Sequence, residues 1–136
     1  MKISAKTDYA CRALLELAHH WPKTMPLGVQ TISQRRAIPL KFLTQILLNL
    51  KHLGMVKSQR GKEGGYTLAK SPKYILLIDV VSYFMEVGKS PRKSTSALEE
   101  IWKDIDGAIL NQMKGITFEG ILKKEQGLSK TPMYTI

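Results

Sequence analysis

The sequence predicts a mainly α-helical protein with one small β-hairpin and a long amphipathic helix near its C-terminus. Three observations carry that prediction. Apolar residues recur at three- and four-residue spacings over most of the 136 residues, the mark of helices with one buried face. In "VKSQRGKEGGYTL", residues 56–68, polar and apolar residues instead alternate on either side of Gly61, Gly64 and Gly65. From Leu98 to Ile116 a single apolar stripe, Leu98, Ile101, Trp102, Ile105, Ala108, Ile109, Met113 and Ile116, persists for about five turns.

The first helix spans 4–20, with Ala10, Ala13, Leu14, Leu17 and Ala18 covering more than one stripe, so it is buried on two sides. Ser4 or Thr7 caps its start. Pro22 and Pro26 mark a loop. "VQTISQRR", 29–36, is a short helix with Val29 and Ile32 inward. "AIP", 37–39, interrupts it, because the residue before a proline is biased away from the helical region. A longer helix follows from Leu40 to Leu53, with Leu43, Ile46, Leu47, Leu50 and Leu53 inward, and Gly54 ends it. Two helices joined by so short a break, the second longer than the first, form a helix-turn-helix.

Val56–Gln59 and Tyr66–Leu68 then have strand composition, with Gly64-Gly65 as the turn between them. Ser71-Pro72 closes the hairpin. "LIDVVSYFMEV", 77–87, is helical, with Ile78, Val81, Phe84 and Met85 as its stripe. Residues 88–97, "GKSPRKSTSA", are a polar, basic loop. The stripe from Leu98 exceeds what a compact monomer needs, so one side is core and the other meets a partner helix through Leu98, Ile101, Trp102, Ile105, Ile109 and Met113. Thr117 caps a short final helix, and 126–136 is a tail. The expected organisation is a helix-turn-helix and hairpin domain at 1–72, a connecting helix and loop at 73–97, a partner-facing long helix with a short final helix at 98–125, and the tail at 126–136.

Composition narrows the function. Lys and Arg number 21 against 11 Asp and Glu, a net charge of +10. No acid lies between Glu16 and Glu63, while Lys23, Arg35, Arg36, Lys41, Lys51, Lys57, Arg60 and Lys62 fall in that window. Such a field attracts polyanions, whether nucleic acid, acidic membrane or acidic protein; a solvated basic surface fits the charge alone equally well. The single Cys11 excludes an intramolecular disulfide and a cysteine-cluster metal site within one chain. The most apolar stretch, "YILLIDVV" at 74–81, is too short to span a bilayer. No signal peptide is legible, and a protein of the reducing cytoplasm is expected.

A helix-turn-helix followed directly by a basic, glycine-tipped hairpin gives a two-part grip on double-stranded DNA. The second helix fits the major groove, and the hairpin, a wing, reaches the backbone or minor groove, where arginine is favoured. On the helix from Leu40, positions 41, 44, 45, 48 and 52 share the face opposite the leucines. Gln45 can pair with adenine, Thr44 can hydrogen-bond or touch a thymine methyl, and Lys41 can meet guanine or phosphate. Phe42 is a base contact or a core residue, and the general bias of aromatics favours core. On the wing, Lys57, Arg60, Gly61 and Lys62 are the candidate contacts.

The segment "ISQRRAIPLKFLTQILLNLKHLGMVKSQRGKEGGYTLAKSP", 32–72, resembles the winged helix-turn-helix regulators typified by IscR, NsrR and CymR, the Rrf-two family. "MKISAKTDYACRALLELA" at the start, and "EEIW" and "GITFEGIL" near the end, extend the resemblance over nearly the whole chain. The resemblance implies a homodimeric transcription factor, usually a repressor, on a roughly palindromic operator. It carries DNA contact onto Lys41, Phe42, Thr44, Gln45 and Arg60. An acidic residue tunes base choice at the Thr44 position in the iron–sulfur regulator, so a different operator is implied here. Iron–sulfur members place three cysteines in the counterpart of 84–98, where this chain has none. Ser96 falls at the last of them and Glu99 where a histidine ligand is expected, so no cofactor and no metal site are expected. The signal is then left open between a small-molecule effector, a protein effector and none.

Other features have blander readings. Cys11 reads as a small buried hydrophobe rather than a redox sensor. His19-His20 reads as a charge partner at a helix C-terminus, and Trp21 and Trp102 as packing residues. "GKEGG" lacks the spacing of a phosphate-binding loop. "KSPRKS" reads as a disordered loop before an anion site. No constellation supports catalysis. The alternative function is a module that docks an enzyme or another regulator, with DNA binding secondary; RNA binding is a weaker third.

Overall fold

The computed structural model describes residues 2–22, 25–85 and 96–130. Most of the basic loop expected at 88–97, and the end of the expected tail, lie outside them. Helix α1 runs Ala5–His19, α2 Val29–Arg36 and α3 Leu40–His52. Strands β1, Val56–Gln59, and β2, Gly65–Leu68, pair antiparallel with Val56 opposite Leu68. A short 3-10 turn at Pro72–Tyr74 leads to α4, Leu77–Phe84, then α5, Ala97–Met113, and α6, Phe118–Lys130. The mainly α architecture with one small hairpin is the one the periodicities predict.

Helix α1 is the centre of the body. Ser4 caps it, its hydroxyl accepting from the Thr7 amide at 3.2 Å. Ala10, Ala13 and Leu14 are fully buried, and the small side chains let α2, α3, α4, α6 and β2 all close on it. Ile32, Leu43, Ile46, Leu47, Leu50, Ile75, Val80 and Phe118 complete one core.

The α2–α3 break is held from both directions by Ser33. Its carbonyl accepts from the Ile38 amide at 3.0 Å, and its hydroxyl donates to the Ile38 carbonyl at 2.6 Å. Ala37 takes the left-handed conformation, φ 52°, a strained choice for a residue with a Cβ. Buried Ile38 anchors the turn.

The wing differs from expectation in two ways. The turn is Gly61–Gly64, closed by the Gly64 amide on the Gly61 carbonyl at 3.0 Å, so Gly65 starts β2 opposite Gln59 instead of forming the turn. Leu27, expected in a loop, pairs with Tyr66 through two backbone bonds of 2.9 and 2.8 Å. That bridge ties the segment before α2 to the base of the wing, where Tyr66 packs against the core.

Three helical expectations are corrected. Helix α4 stops at Phe84, with Met85 extended and the expected helical positions 86 and 87 outside the described residues; it buries Val80 and Val81 while Ile78 is half-buried. Its start is pinned, with the Leu77 amide on Ile116 and the Phe118 amide on Ile75, and this sets which face turns inward. Helix α5 has no core side along its length; only Met113, 7% exposed, is buried. Helix α6 is not short: it reaches Lys130, so 126–130 is helix rather than tail. Thr117 starts it by accepting from the Gly120 amide at 3.0 Å, and it folds back on α1 with Phe118 fully buried.

Candidate nucleic-acid interface

Helix α3 divides cleanly between its two faces. Leu43, Ile46, Leu47 and Leu50 are buried, while Lys41, Thr44, Gln45, Leu48 and His52 are all exposed. The five outward positions share one face, as their spacing requires. Within that face the side chains are ordered: Thr44 Oγ1 donates to the Leu40 carbonyl at 3.3 Å, and Gln45 Nε2 donates to Asn49 Oδ1 at 3.1 Å.

Phe42 is not a core residue. It is 37% exposed and stacks on Tyr9 of α1 at 6.1 Å between centroids, with the Lys41 ammonium 4.9 Å from its ring. The bias of aromatics toward burial is met by Tyr9 and Lys41 against the ring, which still leaves the residue part-exposed. Tyr9, half-buried, thus borders this surface; it was missed in the sequence, where an aromatic beside an apolar stripe reads as packing. Exposed Leu40 was missed as well, since a leucine opening a leucine-rich helix reads as core, whereas position 48 is exposed on the outward face that its spacing assigned it.

On the wing, Lys57, Arg60, Gly61 and Lys62 are all exposed. Lys51 Nζ donates to Ser58 Oγ at 2.8 Å, tying the end of α3 to β1. The Ala69 amide bonds the Met55 carbonyl at 2.9 Å at the hairpin base. The wing therefore holds a set position beside the helix. None of Lys41, Lys51, Lys57, Arg60 and Lys62 makes an ion pair among the described residues, so their charge is uncompensated.

Arg35 and Arg36 are different. Glu16, almost fully buried, takes Arg36 Nε on one oxygen at 3.0 Å and both His20 Nε2 at 3.0 Å and Arg35 Nη1 at 3.2 Å on the other. Arg36 also forms a bidentate pair with Glu125 of α6 at 2.8 and 2.9 Å. Burial alone would raise the Glu16 carboxyl, but the hydrogen bonds from His20, Arg36 and Arg35 outweigh it and hold the group below its ordinary value. The Arg36 hydrogen bonds likewise depress Glu125. Two cations of the acid-free window are thus spent on fastening α2 and α6 to α1. Sequence charge counts cannot separate such residues from those that face a ligand.

The thiolate donor set for an iron–sulfur cluster is absent from the sequence. Thiolate ligands need cysteines, and the one cysteine of the sequence, Cys11, lies in α1. Burial, with Asp8 nearby, pushes its thiol up to about 12, so it is held neutral and unreactive. Between 84 and 98 only Glu86 is a ligand type, and no three His, Cys, Asp or Glu gather elsewhere among the described residues. The residues present do not fit a thiolate-bound iron–sulfur centre.

The outer face of α5 presents Leu98, Ile101, Trp102 and Ile105, between 46% and 57% exposed. Ile109 is half-buried, and Met113 faces its own chain. No helix among the described residues is long and apolar enough to cross a membrane.

Comparison with known proteins places this geometry. The family model Rrf2, described as an iron-dependent transcriptional regulator, matches residues 3–124. An HTH-type transcriptional regulator of rrf2-like type from Rhodobacter capsulatus is 41% identical over 81 residues, 58% of this chain and 54% of that protein. The chain thus aligns with about half the length of that relative. Among solved structures, T. potens IscR superposes with a TM-score of 0.83 at 28% identity, over 98% of this chain and 95% of that one. CymR, the global cysteine regulator of B. subtilis, gives 0.79 at 27% identity, over 91% and 98%.

Proposed function

The chain belongs to the Rrf2 family of transcriptional regulators, and from that premise we propose that it is a sequence-specific DNA-binding repressor, homodimeric on a roughly palindromic operator, and not an iron–sulfur sensor. The observation that carries the reading is the pairing of an ordered polar face on α3 with an uncompensated basic wing held beside it. In this reading α3 enters the major groove with Lys41, Phe42, Thr44 and Gln45 toward the bases. Arg60 of the wing takes the minor groove, and Lys57, Lys62 and the Gly61 backbone take phosphates. The exposed stripe of α5, from Leu98 through Ile101, Trp102 and Ile105 to Ile109, meets the same stripe of a second copy. Met113 is left out of that surface because its own chain covers it. The signal is a small molecule or a protein that acts without thiolate-bound iron.

Operator binding followed across salt concentration tests the reading. If the dimer neutralises about six phosphates, the affinity falls with a log–log slope of about −5. Arg60→Ala weakens binding while leaving the dimer intact. A flat salt dependence, or equal binding to all duplexes at physiological salt, would overturn it.

A further inference from the structure

Two hydrogen bonds on the exposed face of α3 restrict what that face can offer to a base edge. Gln45 Nε2 already donates one N–H to Asn49 Oδ1. What remains is an acceptor oxygen beside a single N–H. Adenine presents the complementary pair in the major groove, a donating N6 amine beside an accepting N7. Guanine presents two acceptors, N7 and O6, and a glutamine with one free N–H cannot satisfy both. Thr44 has its hydroxyl proton committed to the Leu40 carbonyl, leaving a methyl group and acceptor lone pairs. Leu48, 41% exposed, follows Thr44 by one turn and lies beside Gln45. The thymine C5-methyl is the apolar group of the major-groove edge. No arginine lies on this face, and its lysine, Lys41, sits at the N-terminal end of the helix with its ammonium 4.9 Å from the Phe42 ring, away from Leu48 by about two turns.

We propose that Gln45, held in one amide orientation by Asn49, reads an adenine, and that Thr44 and Leu48 read the methyl groups of adjacent thymines, so that each half-site is centred on A·T pairs. This rests on the DNA-binding reading above. Asn49 acts as a positioning residue, bonding Gln45 and not the base.

The test begins by enriching duplexes from a random pool with the full chain. In an enriched duplex, each adenine of the half-site is then replaced by 7-deazaadenine, which lacks the N7 acceptor, and each thymine by uracil, which lacks only the methyl. One 7-deaza position should weaken the wild type about tenfold and leave Gln45→Ala unaffected. Uracil at a neighbouring position should weaken it about threefold, and Leu48→Ala should abolish that difference. Asn49→Ala should bind the enriched duplex nearly as well, while its preference for adenine over guanine at the 7-deaza position falls about tenfold. That loss of discrimination at near-constant affinity separates positioning from a general structural role. Neutral 7-deaza and uracil substitutions, G·C pairs at these positions, or unchanged discrimination in Asn49→Ala would overturn the proposal alone. Failure to enrich any duplex would overturn the DNA-binding reading together with it.

Discussion

Glu16 sits under opposing pressures, since burial favours its neutral form while three cationic or hydrogen-bonding side chains favour the carboxylate. The partners win, and the folded protein holds the group ionised below its ordinary value of 4.5. A carboxylate depressed by folding contributes stability that is complete above the ordinary value and is lost as pH falls through the folded one. Glu125 shifts in the same direction and adds less, because its side chain is 41% exposed. Glu16→Gln is therefore expected to cost about 1.5–3 kcal/mol at pH 7 and to flatten the fall in stability below pH 4.5. Urea unfolding at pH 7 and at stepped acidic pH reads both; parallel pH curves for wild type and variant would remove Glu16 from the account. At this scale the sequence was only partly legible. It showed Gln45, Thr44 and Lys41 facing outward, because helix spacing fixes faces. It did not show that Arg35 and Arg36 are tied to Glu16 and Glu125, or that Phe42 leans on Tyr9, because those contacts join residues far apart in the chain.

Elements were far more legible, and the reason is that their signals are local. Helix α2 was read at its true limits from Gly28 and the "AIP" break, and α3 to within one residue from its leucines and Gly54. The wing was legible as a hairpin but not in its docking, since nothing in "PLG" at 26–28 announces a β-bridge to Tyr66. That bridge explains Gly65. Its backbone passes so close to the Leu27 carbonyl that a Cβ there would collide with it, and its φ of +153° is one that side chains avoid. Gly65→Ala should therefore loosen the wing from the segment before α2, costing about 1–3 kcal/mol, and weaken operator binding. Gly107→Ala is the matched control: it lies within α5, a Cβ there meets nothing, and it should stabilise the helix by about 1 kcal/mol. Thermal unfolding of the two variants compares them. Equal melting temperatures for Gly65→Ala and wild type would show that the Leu27 bridge does not fix the wing.

At the scale of the molecule, the apolar period of 98–116 showed that α5 carries more greasy surface than a monomer needs, but not which part belongs to its own chain. Periodicity reports a face and not the neighbour that covers it. The body fully buries only Met113 and half-covers the second half of α5, while α6 returns to α1 and is locked there through Arg36 and Glu125. Most of α5 thus stands off the body as a 17-residue helix, and helices of that length are marginal in water without a packed face. A second copy would supply that face symmetrically, stripe on stripe, and would set two recognition helices at a fixed separation for successive major grooves. Ile101→Asp combined with Ile105→Asp places charges in the middle of the stripe, remote from α3 and the wing. The expected product is a monomer by sedimentation, with reduced helix content from the melted arm and an intact core. It should bind a single half-site as the wild-type half does, but lose about 10²–10⁴-fold on the palindrome, because the second half-site is no longer an intramolecular event. A double variant that still sediments as a dimer would sink the stripe as the interface. One that turns monomeric yet keeps full affinity for the palindrome would show that the two half-sites are read independently.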